Sequence, residues 1–354
     1  MTQAAQTPQN ILVIRLSALG DVIMSSGLIT ALRARYPQAR ISWLSEPPAA
    51  PLLRHNPDLH EVIVWQRGEW QALWRTRRRG ELLRVVVRFR RELRERRFDL
   101  VLDAHGLLKS GLLAWMTGAP RRIGLIPREG SQWMVHEKVE PPASGNDRIG
   151  SEYRYLAQYL GARDEDFRLN LSVGPEQRRL VEQVIAETGI QAPIAILCPF
   201  TTRPQKHWFE DRWARLADHL GQQGLAPVMI GAPADKPAAE RIAAQSSTII
   251  NLTGRFKLDE SIALIACSQL LIGVDTGLTH AGTALRIPTV ALFGSTRPYL
   301  RTDSPATVIL YDALSCSPCR KNPTCEGRFD CMRQLDEDRV LRTALAQLHQ
   351  GSRP

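Results

Sequence analysis

Short apolar runs alternate with helical patterns along most of this chain, and that alternation limits the possible folds more than any other feature. ILVIRL (11–16) is followed by the turn SALG and a helical pattern from Asp21. ISWLSE (41–46), EVIVW (61–65) and FDLVLDAHG (98–106), the last of them before LLKSGLLAWM, repeat the order. A second series begins near residue 192 with PIAILCPF and continues through LAPVMIGAP (225–233), TIINLTG (248–254), LLIGVDTG (270–277) and TVALFGST (289–296). Strands separated by helices pair in parallel, because each crossover lays a helix on a face of the sheet. The expectation is an α/β chain of two doubly wound domains, with the boundary near GPEQRRLVEQVIAETG. We place the domains at 1–175 and 176–335, with a C-terminal helix or tail at 336–354.

A chain of 354 residues, 44% of them hydrophobic, has enough apolar surface for two cores. The first ten residues, MTQAAQTPQN, carry no basic start and no apolar run, and eighteen consecutive apolar residues occur nowhere. A cytoplasmic chain that does not span a membrane is expected.

The formal charge of +10 is concentrated. Between Arg67 and Arg97 stand twelve arginines and four glutamates (Glu69, Glu81, Glu92, Glu95), so this stretch alone carries +8. Leu82, Val86, Phe89 and Leu93 recur within it at helical intervals, which predicts an amphipathic helix with arginines on its outer face. The guanidinium fork suits carboxylate and phosphate oxygens, so either the face is simply solvated or it meets an anionic lipid, sugar or nucleic acid. No nucleic-acid reading motif accompanies it, and no nucleic-acid partner is expected. Trp65, Trp70 and Trp74, just upstream, either wedge into a lipid interface or pack under the loop.

In doubly wound sheets ligands sit at the carboxyl ends of the strands. GVDTGLTHAGTA (273–284) follows an apolar run at such an end. Asp275 or Thr276 is there either a helix N-cap or part of an anion site built on free helix amides, and Gly277 would let the backbone approach a ligand closely. Asp21 in SALGD is likewise a cap or a carboxylate placed to take a proton. Neither GxGxxG nor GxxxxGK[ST] occurs, which argues against a conventional dinucleotide or P-loop site. FTTRPQKHWFEDRW (200–213) brings hydroxyls and the Lys206 charge to the same end of the second sheet, a set suited to pyrophosphate.

Together RLSALGDVIMSSGLITALRARYP, DAHGLLKS, TTRPQKHW and DTGLTHAGTA, in this order and spacing, resemble the ADP-heptose:lipopolysaccharide heptosyltransferases over residues 10 to 300. TTRPQKHW and DAHGLLKS lie closer to type I, which adds the first heptose to Kdo, than to type II, which extends it. The resemblance implies a GT-B architecture, two Rossmann-like domains facing a central cleft. It implies inverting transfer from ADP-L-glycero-D-manno-heptose to the Kdo-lipid A inner core, with no metal or other cofactor required, at the cytoplasmic face of the inner membrane.

Carried over residue by residue, the resemblance makes Asp21 the base for the acceptor hydroxyl. Lys206, with the amides of Thr276, Gly277 and Leu278, would stabilise the leaving ADP. Thr201 and Thr202 match positions that contact the phosphates. Asp235, or Glu240 if the alignment slips, matches the acid for the ribose. Asp275 matches an acid near the donor heptose or one organising its loop, and His280 a residue that touches the donor or orients that loop. Arg75, Arg77, Arg78 and Lys109 would meet the acidic acceptor and, with it, the anionic inner leaflet.

CSPCRKNPTCEGRFDC (316–331) stands apart from these motifs. Cys316, Cys319, Cys325 and Cys331 form either a tetrathiolate zinc or iron site or a group of unligated thiols. Cys198 and Cys267 read as core residues.

Overall fold

A computed structural model describes residues 7–142, 147–296, 298–319 and 322–351. The chain divides into two compact units, Met1–Gly145 with Gly150–Ser172, and Asn146–Ile149 with Val173–Pro354. The first contains β1 (Asn10–Ile14), α1 (Leu19–Ser25), α2 (Gly27–Arg35), β2 (Arg40–Ser45), β3 (Glu61–Val64), α3 (Arg67–Arg75), α4 (Arg79–Glu95), β4 (Leu100–Asp103), α5 (Leu108–Thr117), β5 (Arg121–Leu125), β6 (Glu137–Val139) and α6 (Ser151–Tyr159). The second contains α7 (Pro175–Glu187), β7 (Ile194–Cys198), α8 (Glu210–Gln222), β8 (Ala226–Met229), α9 (Lys236–Ala243), β9 (Ile250–Asn251), α10 (Leu258–Ala266), β10 (Leu270–Val274), α11 (Gly277–Ala284), β11 (Thr289–Phe293), β12 (Thr307–Tyr311), α12 (Asp330–Arg333) and α13 (Glu337–Gly351).

Each unit is built on a six-stranded sheet, in the orders β3-β2-β1-β4-β5-β6 and β12-β11-β10-β7-β8-β9, and the pairings within both are parallel. Counted within its own unit, each follows the doubly wound order 3-2-1-4-5-6. Winding reverses between β1 and β4 in one sheet and between β7 and β10 in the other, opening a crevice at the carboxyl ends of those pairs. The central strands are apolar throughout because helices cover both faces: Ile11 to Ile14, and Leu270 to Ile272 with Val274, are buried.

Strands β5, β6 and β12 carry weak sequence signals, with two arginines opening β5 and three residues making up β6. They lie on the outer side of their sheets, with β6 and β12 at the edges. Helix α13 packs into the second unit through buried Val340 and Ala344, in one apolar cluster with Leu216 and Leu220 of α8. The arginine stretch folds as two helices, α3 and α4, and α4 holds the periodic Leu82, Val86, Phe89 and Leu93. Leu93 is buried, and Val86 and Phe89 lie against the core with Trp70. No helix among the described residues is long and apolar enough to cross a membrane.

Candidate active site

The first unit gathers charge at its switch point. Pairing of β1 with β4 sets Ile14 beside Asp103, so the residues after both strands emerge together. Arg15 leaves β1 with its side chain buried, donates from Nη1 to the Ala104 carbonyl at 2.9 Å and lies 5.5 Å from the centre of the Tyr153 ring. Its Nη2 is 2.5 Å from Oδ2 of Asp21 in the first turn of α1. Burial opposes the Arg15 charge, but Tyr153 and Asp21 outweigh it and hold the guanidinium above its ordinary value. The Ala18 amide also approaches Oδ2 of Asp21, at a loose 3.4 Å. Both contacts use Oδ2, leaving Oδ1 without a partner among the described residues. Asp21 thus combines the two roles its sequence left open: a weak cap, and a carboxylate with one oxygen to spare.

Around it lie groups that sequence reading did not single out. Asp103 is fully buried and accepts the amides of His105 and Gly106 at 3.1 and 3.0 Å, while burial raises its pKa. Burial, with the charges of Arg15, Lys109 and Arg128, lowers the His105 pKa to about 3 and keeps the ring neutral. Both residues belong to the quoted DAHG, whose polarity directly after an apolar strand was the available signal. Lys109 opens α5 and is 2.8 Å from Oε1 of Glu46, which also faces Arg67 at 3.5 Å. Its charge is therefore shared with a neighbouring carboxylate. Arg75 ends α3, Arg77 turns the chain at φ 57°, and Arg78 makes a two-pronged exposed pair with Glu81 at 2.7 and 2.5 Å.

The second unit builds a denser cluster at its own switch point. Pairing of β7 with β10 aligns Cys198 with Gly273, which brings the loop after each strand to one place. Lys206, in a short 3₁₀ turn after β7, lies 2.5 Å from Oδ2 of Asp275, which follows β10. Thr296 donates to the same oxygen at 2.6 Å, and His280 Nε2 is 3.3 Å from Oδ1. His280 Nδ1 meets the Tyr299 hydroxyl at 2.5 Å. Burial and the nearby Asp275 charge push the Tyr299 pKa well up. Burial alone would raise the Asp275 pKa; His280 and Lys206 outweigh it and hold the carboxyl well below the usual range.

Helix α11 starts at Gly277, with Thr276 extended at φ −143° and no side chain capping the turn. Thr276 is the N-cap residue by position, as one reading of the sequence had it, but its side chain makes no capping hydrogen bond, and the Asp275 carboxylate is taken by Lys206, Thr296 and His280. Helix amides left uncapped are suited to an anion. Thr279 ties the turn to the strand by donating to the Val274 carbonyl at 2.6 Å. Thr201 and Thr202 lie in the loop before Lys206, where the Thr201 carbonyl is 2.8 Å from His207 Nε2. Asp235 closes the Gly-Ala-Pro turn by accepting the Ala232 amide at 2.8 Å, while Glu240 lies exposed on α9. Thr296 and Tyr299 were missed; FGST after the last quoted strand repeats the pattern of a polar end on an apolar run.

The tetrathiolate reading of the four clustered cysteines finds no support in the structure. Among the described residues no group of three or more His, Cys, Asp or Glu side chains is placed to hold a metal ion. Cys325 and Cys331 are buried; burial and the neighbouring thiols raise Cys331 to about 11, and its sulfur packs against Gly294. Cys198 is buried and its thiol lies above its ordinary range for that reason; Cys267 is half-buried.

The glycosyltransferase family 9 (heptosyltransferase) model matches residues 86–329. Lipopolysaccharide heptosyltransferase 1 of Pseudomonas aeruginosa is 31% identical over 96% of this chain and 98% of its own. Lipopolysaccharide heptosyltransferase 2 of Escherichia coli is 28% identical over 96% and 99%. The solved E. coli ADP-heptose LPS heptosyltransferase II superposes with a TM-score of 0.76 at 27% identity, covering 97% of this chain and 100% of its own. The two doubly wound sheets are those of the GT-B fold. The chain thus belongs to glycosyltransferase family 9 and is a heptosyltransferase.

Proposed function

We propose that this enzyme transfers heptose, with inversion, from ADP-L-glycero-D-manno-heptose to the Kdo-lipid A inner core of lipopolysaccharide, in the manner of a type I heptosyltransferase. The observation that carries the reading is the pair of switch-point clusters, a carboxylate with a spare oxygen in one unit and a lysine beside uncapped helix amides in the other. In this reading Asp21 takes the acceptor hydroxyl proton on Oδ1 as the oxygen attacks the anomeric carbon, while Arg15 fixes the carboxylate through Oδ2. The bond to the diphosphate breaks on the opposite face, and ADP leaves with the electron pair. Lys206 and the amides of Thr276, Gly277 and Leu278 take up that charge. Thr201 and Thr202 hold the phosphates and Asp235 the ribose. Asp275 and His280 orient Lys206 and the loop that carries the amides.

On the acceptor side, Lys109 with Arg75, Arg77 and Arg78 meets the Kdo carboxylates and lipid A phosphates, and the enzyme works peripherally at the cytoplasmic face of the inner membrane. The cysteine cluster has no part in this chemistry. Likeness to relatives of both types supports a second acceptor, a core already carrying one heptose. Transfer from ADP-heptose to Kdo2-lipid A, run beside the same acceptor bearing one heptose, tests the choice. Product from the first alone, abolished by Asp21→Ala, is expected. Product from the second alone would move the enzyme to type II, and product from neither would overturn the acceptor assignment.

A further inference from the structure

Helices α3, α4 and α5 leave a groove in the first unit, about 660 Å³ in volume, whose apolar lining has no part in the proposed transfer chemistry. This falls in the range of about 300–1,000 Å³ usual for small-ligand pockets. Trp74, Leu83, Val87, Leu112 and Trp115 line it while remaining between 39% and 65% exposed. Single exposed apolar residues need no account, but five around one hollow mark a binding surface. Two of the three upstream tryptophans form its packed wall: Trp65 and Trp70 meet edge to face at 5.4 Å, and Trp70 meets Phe89 at 5.8 Å. Trp74, at the rim, stands free.

The groove is ringed with positive charge. Arg67, Arg75 and Arg90 line it, within the stretch that carries +8. Arg90 stacks over Trp115 at 5.2 Å, and its buried Nε has no hydrogen-bond partner among the described residues. A second copy of this chain would bring like charge against like. An anionic bilayer supplies what both features lack, apolar chains for the hollow and phosphate oxygens for the arginines.

We propose that this groove takes an acyl chain of an anionic bilayer lipid, whose phosphate lies on the arginines around it. The inference deepens the membrane-surface part of the proposed function and rests on it. Leu83 and Val87 lie on the exposed face of α4, so Leu83→Glu/Val87→Glu changes the groove without opening the core. The full-length chain is sedimented with phosphatidylcholine vesicles with and without phosphatidylglycerol, and tryptophan quenching is read with lipids brominated along the acyl chain.

Binding that requires phosphatidylglycerol, quenching by the chain bromines, and loss of both by about tenfold or more in the double glutamate variant are expected. A Leu83→Met/Val87→Ile control should bind like the parent, and melting should show all three folded alike. Binding that follows anionic lipid content but ignores the glutamates and the bromines would overturn the groove as a chain site, leaving adsorption by the arginines. Concentration-dependent self-association without vesicle binding would make the occupant a second copy. Transfer to a water-soluble acceptor lacking acyl chains should be equal in all three. If no variant transfers to any acceptor while vesicle binding behaves as expected, the transferase reading fails and the groove stands.

Discussion

Asp275 makes contacts with Lys206, Thr296 and His280 at once, so its removal leaves a buried ammonium without its counter-charge. Breaking such a pair from one side costs about 3–5 kcal/mol, and Asp275→Ala should lose that much in denaturant unfolding. Because its folded pKa is depressed, the stability it gives is complete above the unfolded value of about 4 and is lost as pH falls through the lower folded value. The variant should therefore lose the part of the acid unfolding slope that lies below about pH 4. His105 acts in the same direction over a higher pH interval. Held neutral with a pKa of about 3, it takes a proton more readily when unfolded, so stability falls between about pH 6.5 and 3 by up to roughly 1.4 kcal/mol per pH unit. His105→Asn should flatten that interval, and an unchanged slope would remove His105 from this account. Asp21→Asn keeps the shape of the side chain but not its basicity and should lower kcat by about 10²–10⁴-fold. Parent-like turnover in that variant would exclude Asp21 as the base. The sequence showed the residue types here, but not that Arg15 would claim Oδ2 of Asp21, nor that Thr296 and Tyr299 would complete the group around Asp275. Those contacts join residues from separate loops, which chain order cannot place together.

At the scale of elements, the switch-point strands have to be both apolar and closely packed. Gly273 shows the limit: a Cβ there would lie 2.2 Å from Thr279 Oγ1 and 2.9 Å from the Cys198 Cβ. Gly273→Ala must push β10 away from β7 or force Thr279 off the Val274 carbonyl, and overpacking of this sort costs about 1–3 kcal/mol. Since Thr279 anchors the first turn of α11, the same change should weaken ADP binding by more than its effect on unfolding, which calorimetry with ADP can read. Lys206→Ala tests the other half of that site: removing one stabilising charge should cost about 10²–10³-fold in kcat, with folding retained. Helix α4 was legible because one stripe of its periodicity, Leu82, Val86, Phe89 and Leu93, faces the core. Its second stripe, Leu83 and Val87, escaped notice because apolar residues on the solvent side have no counterpart in a pattern read as core against arginine face.

Across the whole molecule, the two units repeat one topology, and each sets its reactive groups where the winding reverses. That arrangement is what the proposed anion site rests on in a chain without a dinucleotide or phosphate-loop signature: the amides of an ordinary helix start, and a lysine from a neighbouring loop. The acceptor experiment belongs at this scale, because the proposed reaction draws on groups from both units. The sequence alone determined the α/β class, the two series of strands, the separate character of the arginine helix and the short polar ends that hold Asp21, Lys206 and Asp275. Each is written in local periodicity or in a polar break after an apolar run, which the chain expresses without reference to distant segments. The tertiary structure decided which strand lies beside which, and so which polar ends meet. It also decided that Cys325 and Cys331 are buried and that three helices leave an apolar hollow among arginines. Those outcomes depend on pairing between residues 75 apart in β7 and β10, as in Cys198 with Gly273, where a shift of partner or register would keep every local signal and dissolve the site.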